Sequence, residues 1–184
     1  MTDKMILKNG RPENTNMRLE KEVLCYDFLD DLGIEYSRVD HDAADDMEAC
    51  LEIESTLGAP ICKNLLLTNR QQTEFYLLLM PGDKVFKTKE LSKQIESARL
   101  SFATAEQMEK YLNITPGSVS ILGLLFDKEK NVNLIIDEDV KKNEYLGCHP
   151  CINTSTLKIR TEDVFEKITD ALGYSYKLVN LVGE

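Results

Sequence analysis

Apolar residues recur at helical spacing in several separate parts of the chain. The first such pattern covers residues 17–32, where Leu24, Phe28 and Leu32 fall on one face and Gly33 follows as a C-terminal stop. The same spacing, with a capping box of Thr104 and Gln107, predicts four further helices. They cover residues 45–57, 88–96, 105–112 and 162–172.

Strand-like patterns lie between these helices. Residues 34–39 alternate between apolar and polar, and the apolar runs 61–68 and 74–80 enclose a polar turn typical of a hairpin. Further strands are predicted at residues 118–126, 132–136 and 157–160. Strand pairs interspersed with helices predict a mixed α/β (α+β) fold with a largely antiparallel sheet. Residues 1–16 lack any periodic pattern, so we expect a loose N-terminal arm before a single domain at 17–184.

The net charge of the chain restricts the kinds of partner that we expect it to bind. The 184 residues contain 22 Lys and Arg against 32 Asp and Glu, a net charge of −10. Proteins that coat long nucleic acids depend on many basic contacts to phosphate, so DNA is not an expected partner. Contact with one end of a nucleic acid through a small basic patch remains compatible with this charge. The chain has no apolar run of membrane-spanning length and begins with a polar segment, so we expect a cytoplasmic protein without a membrane partner.

Scarce histidines and scattered cysteines limit the chemistry. Only two histidines occur, His41 and His149, so a zinc hydrolase with several imidazole ligands cannot be formed. Cys148 and Cys151 make a CxxC pair that could bind zinc or act in redox chemistry, but no second ligand pair accompanies it. Ordinary loop cysteines with reduced thiols are the favoured interpretation, and neither metal nor cofactor is expected.

Lys63 and His149 are the residues whose positions need explanation. Lys63 opens an apolar run, where an ammonium group requires either a functional role or a route to water along its aliphatic chain. His149 precedes small polar side chains that could hold a polar ligand, although a loop histidine is often structural. Gly123 lies in a glycine-bearing segment whose backbone amides could approach a substrate carbonyl.

Four segments taken in order resemble the YbaK/prolyl-tRNA-editing family. They cover most of the chain and are closest to its branch of free-standing alanyl-tRNA(Pro) deacylases (ProX/PrdX). The segments are Ile61–Leu67 (ICKNLLL), Leu100–Ala103 (LSFA), Pro116–Leu124 (PGSVSILGL) and His149–Thr156 (HPCINTST).

This resemblance implies both a fold and a reaction. The fold is a curved, mostly antiparallel sheet flanked by helices, and the reaction is metal-independent hydrolysis, in trans, of the ester that joins a wrong amino acid to tRNA(Pro). The implied partners are the acceptor end of that tRNA and prolyl-tRNA synthetase. The implied catalytic residues are Lys63, Gly123 and His149. The implied substrate-binding residues are Asn64, Ser101, Ser120, Asn153 and Thr154.

Departures from the family pattern keep alternatives open. Ile121 and Leu122 stand where the family has Pro-Phe, which leaves another amino acid, such as cysteine or serine, as a possible substrate moiety. A non-catalytic module that binds tRNA or a synthetase is the alternative of a different class. A local basic cluster of Lys84, Lys87, Lys89 and Lys93 is the candidate contact for the acceptor stem.

Overall fold

The computed structural model describes residues 4–44 and 46–183, and within them the chain forms nine strands and several helices. The strands are β1 (Leu7–Asn9), β2 (Tyr36–Asp40), β3 (Cys62–Asn69), β4 (Phe75–Pro81), β5 (Leu100–Phe102), β6 (Val132–Asp137), β7 (Tyr145–Cys148), β8 (Ser155–Arg160) and β9 (Tyr176–Val179).

The strands form two sheets rather than one. The four-stranded sheet has the order β1-β2-β8-β7 and is antiparallel throughout. The five-stranded sheet has the order β5-β3-β4-β6-β9, in which β4, β6 and β9 run parallel to one another. The mixed α/β fold is therefore confirmed, with mostly antiparallel pairing distributed over two sheets.

An isolated parallel bridge between Ile61 and Gly147 joins the two sheets. The amide of Gly147 also donates to the carbonyl of Pro60 at 2.8 Å. A Cβ on Gly147 would lie 2.8 Å from Leu57 Cδ2 and 3.1 Å from Ile61 Cγ1, so only glycine permits this close approach. The beginning of β3 is thereby fixed beside β7.

The helices follow the patterns that predicted them, with small shifts at their ends. The α-helices are α1 (Glu20–Asp31), α2 (Met47–Leu57), α3 (Thr88–Gln94), α4 (Ala105–Leu112), α5 (Thr161–Asp163) and α6 (Thr169–Leu172). A π-helical turn, Val164–Ile168, joins α5 to α6, and 3₁₀ helices lie at Ile121–Phe126 and Glu138–Lys142. The capping box is confirmed, because Thr104 and Gln107 exchange side-chain-to-backbone bonds at the start of α4.

Three apolar layers hold these elements together. The largest lies between the two sheets and includes Cys25, Leu66, Leu77 and Leu157. The five-stranded sheet carries a second layer under α3, and the four-stranded sheet carries a third under α2. We call the sheet faces toward the largest layer inner and the opposite faces outer. No helix among the described residues combines the length and apolar character needed to cross a bilayer.

Some predicted elements need correction. Residues 118–126 do not form a strand: Ile121–Phe126 is a buried 3₁₀ helix, since its apolar run is covered on all sides. The arm is not loose over residues 7–11, because β1 pairs with β2 and Arg11 bonds Asp27 at 2.7 Å. Residues 1–3, and the expected helix start at Asp45, lie outside the described residues.

Candidate active site

The Ile61–Gly147 bridge brings two expected catalytic residues to the same end of the sheet pair. Lys63 lies two residues beyond the bridge on β3, and His149 lies two residues beyond it on the parallel chain from β7. Side chains alternate along a strand, so Lys63 shares the outer face with Ile61. His149 follows Cys148, whose side chain lies in the inner layer, and contacts the outer-face residue Thr156.

A short chain of contacts orients Lys63. Its half-buried ammonium group donates to the carbonyl oxygen of Lys84. The Lys84 ammonium in turn donates to Asp137 and Asp139, each at 2.8 Å, and to the carbonyl of Leu181 at 2.6 Å. Lys84 is therefore committed to internal partners, which corrects its assignment to a free basic cluster. Lys87, Lys89 and Lys93 remain exposed.

Asn64, the next residue on β3, points to the inner face. Its Oδ1 accepts from the amide of Ile121 at 3.1 Å, and its Nδ2 donates to the carbonyl of Cys62 at 3.2 Å. Ser120 is fully buried beside it, and its hydroxyl oxygen accepts from the amide of Leu122 at 3.2 Å. Both side chains anchor the start of the 3₁₀ helix Ile121–Phe126, so the geometry gives them an internal task.

Gly123 is enclosed within the same 3₁₀ helix. Its amide donates to the carbonyl of Ser120 at 2.9 Å. A Cβ at this position would lie 2.6 Å from Ile114 Cδ1 and 3.0 Å from Leu112 Cβ. Close packing therefore accounts for this glycine without any substrate. Ile121 and Leu122, which depart from the family pattern, are also fully buried in the inner layer.

His149 is held in one tautomer by its surroundings. Its Nδ1 lies 2.8 Å from the carbonyl oxygen of Ser155. Because a carbonyl only accepts, the proton is assigned to Nδ1 and the lone pair to Nε2. Burial lowers the pKa of His149 below its ordinary value, the bond to Ser155 opposes that change, and the charge of nearby His41 adds to it. The ring is thus favoured in its neutral form, with Nε2 able to accept a hydrogen bond.

Two depressions flank the loop that follows His149. Thr154, an exposed residue, lines a cleft of about 900 Å³ together with His41 and Thr56. Asn153 and Thr154 also line a groove of about 430 Å³ near Arg18. Residues of this loop therefore line two depressions with room for a polar ligand, and neither lining includes Lys63 or His149.

Ser101 is not brought to the other candidate residues. It is exposed on β5 and pairs with Thr68 of β3. Thr68 lies five residues along the strand from Lys63, a separation of about 17 Å at strand spacing.

The comparisons with known proteins show the family of the chain. The sequence profile of the aminoacyl-tRNA editing domain matches residues 41–167, a span that includes Lys63 and His149. The chain belongs to the aminoacyl-tRNA editing domain family. This confirms the resemblance found in the four sequence segments.

Several relatives of this editing domain carry names that refer to prolyl-tRNA. The prolyl-tRNA editing protein ProX of Acetoanaerobium sticklandii is 33% identical over 153 residues, which cover 83% of this chain and 93% of that protein. Prolyl-tRNA synthetase associated domain-containing protein 1 of Danio rerio is 26% identical over 140 residues, covering 75% and 76%. A solved structure described as a proposed trans-editing enzyme for prolyl tRNA synthetase superposes with a TM-score of 0.66 at 14% identity. That match covers 89% of this chain and 98% of the other, and it supports the fold.

A network of charges supports the His149 loop of the editing domain from the inner side. Asp40 accepts from Arg18 at 3.0 Å, from Arg38 at 3.2 Å and from the Ser155 hydroxyl at 2.8 Å. Burial alone would raise the pKa of Asp40, but the bonds from Arg18 and Ser155 outweigh it and lower the pKa to about 2. Ser155, whose carbonyl orients His149, is thus itself fixed by a hydrogen bond to Asp40, which forms an ion pair with Arg18.

The cysteines of the editing domain lie mostly in its interior. Cys25 and Cys151 are fully buried with their sulfur atoms 3.6 Å apart, and Cys148 is buried nearby. The contact with Cys151 and burial raise the pKa of Cys25, and burial raises the pKa of Cys148, so both thiols are held protonated. Over residues 4–44 and 46–183, no three His, Cys, Asp or Glu side chains form a candidate metal site.

His41 is a member of the site that its sequence context did not predict. It follows β2 within a polar stretch, and its place beside His149 depends on the pairing of β2 with β8. The scarcity of histidine was the one signal that could have suggested it, since the only two imidazoles of the chain meet at one place.

Proposed function

We propose that the protein is a trans-acting deacylase that hydrolyses the ester of mischarged tRNA(Pro), with alanine as the favoured amino acid. The observation that supports this proposal most is that Lys63 and His149 each lie two residues beyond the Ile61–Gly147 bridge, which joins the two sheets. The 33% identity to a prolyl-tRNA editing protein supports the choice of substrate class.

The reaction needs positioning and charge stabilisation more than a strong nucleophile, because an aminoacyl ester is already activated. Water adds to the ester carbonyl, whose oxygen becomes negative, and the Lys63 ammonium stabilises that oxygen. The bond to the terminal ribose oxygen then breaks, and this oxygen takes up a proton. The products are the free amino acid and a tRNA with its terminal hydroxyl restored.

His149 supplies a hydrogen-bond acceptor beside the reacting ester. Its neutral ring presents the lone pair of Nε2, which can accept a hydrogen from the attacking water or from the neighbouring ribose 2′-hydroxyl. Asn153 and Thr154, on the loop that follows, would contact the terminal adenosine. The inner face of β3 would be fixed by three residues that support the site indirectly: Asn64, Ser120 and Gly123.

Contact with tRNA is confined to its acceptor end in this proposal. The net charge of −10 leaves few cations for phosphate, and Lys87, Lys89 and Lys93 are exposed ones near α3. Few neutralised phosphates predict a shallow dependence of affinity on salt. A complex with prolyl-tRNA synthetase is a further part of the proposal, suggested by the names of the relatives.

The test is deacylation of Ala-tRNA(Pro), with Pro-, Cys- and Ser-tRNA(Pro) in parallel. We expect the wild type to release alanine and to leave the proline ester intact, because a pocket that fits a methyl side chain would exclude the larger ring. Lys63→Ala should lower the rate at least about 100-fold, the cost typical of losing a group that stabilises an oxyanion. Lys128→Ala, an exposed lysine in the turn before β6, serves as the matched control.

Two results would contradict the proposal in different ways. Faster release of cysteine or serine than of alanine would replace the amino acid and keep the chemistry. Binding of tRNA without hydrolysis of any ester would favour the non-catalytic module.

A further inference from the structure

The two histidines of the chain lie next to each other on the outer face. Their ring centroids are 6.2 Å apart, and Thr156 of β8 lies between them. The Thr156 hydroxyl is 2.8 Å from His41 Nε2 and 3.5 Å from His149 Nδ1. A single hydroxyl group therefore touches both imidazoles.

The directions of these hydrogen bonds follow from the groups at either end. His41 Nδ1 lies 2.8 Å from the carbonyl oxygen of Asp42, which can only accept, so Nδ1 carries the proton and Nε2 is an acceptor. The Thr156 hydroxyl must then donate its hydrogen to His41 Nε2. Only the lone pairs of Thr156 remain for His149, whose Nδ1–H also donates to Ser155.

We propose that His41 is a positioning residue that acts through Thr156 to hold His149 in the tautomer with the proton on Nδ1. A threonine hydroxyl rotates freely unless its hydrogen is engaged. Without His41, the hydroxyl could turn and donate to His149 Nδ1, which would stabilise the opposite tautomer. His41 prevents this by engaging that hydrogen.

The tautomer decides what His149 can offer a substrate. With Nδ1 protonated, Nε2 presents a lone pair that can accept from water or from a ribose hydroxyl. In the opposite tautomer Nε2 carries a hydrogen and cannot accept. This effect of the tautomer on catalysis rests on the proposed deacylase function, but the tautomer itself can be measured without any substrate.

The test separates a variant that releases the Thr156 hydroxyl from variants that remove it. Thr156→Val keeps the shape of the side chain and removes the hydroxyl, and it is made both alone and together with His41→Phe. His41→Phe removes the acceptor, whereas His41→Gln supplies an amide oxygen that can accept the Thr156 hydrogen in place of Nε2. The readouts are kcat and KM on Ala-tRNA(Pro) and nitrogen-15 NMR of the imidazole rings. Two histidines give two simple sets of signals.

We expect the wild type to show His149 protonated on Nδ1. His41→Phe frees the Thr156 hydroxyl, so it should shift His149 toward a mixture of tautomers and lower kcat at least about tenfold with little change in KM. Thr156→Val removes the competing donor and leaves the Ser155 carbonyl at Nδ1, so it should keep the wild-type tautomer, and the double variant His41→Phe/Thr156→Val should recover it. His41→Gln should recover most of both signals. The thermal midpoint of each variant checks that the fold is retained, and His41→Leu takes the place of His41→Phe if the aromatic variant unfolds.

An unchanged His149 tautomer in His41→Phe would overturn the inference. The same holds if the shift persists in His41→Phe/Thr156→Val, or if kcat falls in His41→Phe but is not recovered by His41→Gln. Failure of the proposed function looks different: the wild type would release no amino acid, while the NMR experiment would still report whether His41 and Thr156 set the tautomer.

Discussion

Lys63 and Asn64 are neighbours in sequence, but they belong to different parts of the protein. Lys63 lies on the outer face, where its only hydrogen bond among the described residues goes to the carbonyl of Lys84. Asn64 lies on the inner face, where its amide joins β3 to the 3₁₀ helix Ile121–Phe126 through two backbone groups. Strand alternation thus divides the pair between the outer face, where the reaction is proposed to occur, and the interior.

This difference shows that one short motif can combine two kinds of requirement. In the proposed function the outer position requires a cation with spare donors, whereas the inner position requires an amide of fixed geometry. The same division applies farther along the chain, where half-buried His149 contacts the outer-face residue Thr156, whereas Ser120 and Gly123 are enclosed. Variants on the inner face should therefore affect stability first, and those on the outer face should affect activity first.

The largest effect on the inner face is expected from Asn64→Ala. The substitution leaves the amide of Ile121 and the carbonyl of Cys62 without their partner, at about 1–3 kcal/mol for each group that stays buried and unsatisfied. Asn64→Asp retains an acceptor for Ile121 and should lose less. Urea unfolding measures the difference. A variant with normal stability but no deacylation would show that Asn64 contacts the substrate instead.

Gly123→Ala should destabilise the protein by about 1–3 kcal/mol, because the added Cβ overlaps the side chain of Ile114 in a filled core. Ile114→Val removes the Cδ1 atom nearest to that Cβ. The double variant should therefore recover part of the stability lost by Gly123→Ala, as measured by thermal unfolding. If Gly123→Ala instead unfolds like the wild type and loses activity, the glycine serves the substrate rather than the packing.

A smaller effect should appear in the pH dependence of stability. Burial lowers the pKa of His149, so below its ordinary value of about 6.5 the unfolded chain takes up a proton that the folded chain does not. The free energy of unfolding should then rise with pH up to about 6.5, by at most about 1.4 kcal/mol per pH unit for this group. His149→Gln should flatten the slope relative to the wild type. Equal slopes would indicate that His149 titrates alike in both states.

Local signals explain which elements could be predicted. The Thr104–Gln107 box and the β3–β4 hairpin depend on residues close in sequence, and both were predicted correctly. The strands β1, β5, β7 and β9 were missed, because each is only three or four residues long and is too short to show an alternating pattern. The buried run Ile121–Phe126 gave the wrong element, since an apolar segment covered on all sides has no periodicity to separate a strand from a helix.

The site shows the same limit. Lys63 and His149 were predicted as site residues because they stand in family segments, and each lies two residues beyond the Ile61–Gly147 bridge. Nothing in the sequence near His41 indicated that Thr156 would touch it, because that contact requires the pairing of β2 with β8. The opposite faces of Lys63 and Asn64 followed from strand alternation alone, but their separate contacts required the fold.

The positions of its strands in the sequence determine when the four-stranded sheet can assemble. β1 and β2 come from the first 40 residues, whereas β7 and β8 come from residues 145–160. His41 and Thr156 are 115 positions apart in the sequence. During translation their contact cannot form until Thr156 has been synthesised and has left the ribosomal exit tunnel. The β3–β4 hairpin can form much earlier because closing a short loop costs little entropy. The surface proposed to read a tRNA for its attached amino acid is thus among the last parts of the protein to exist during its own translation.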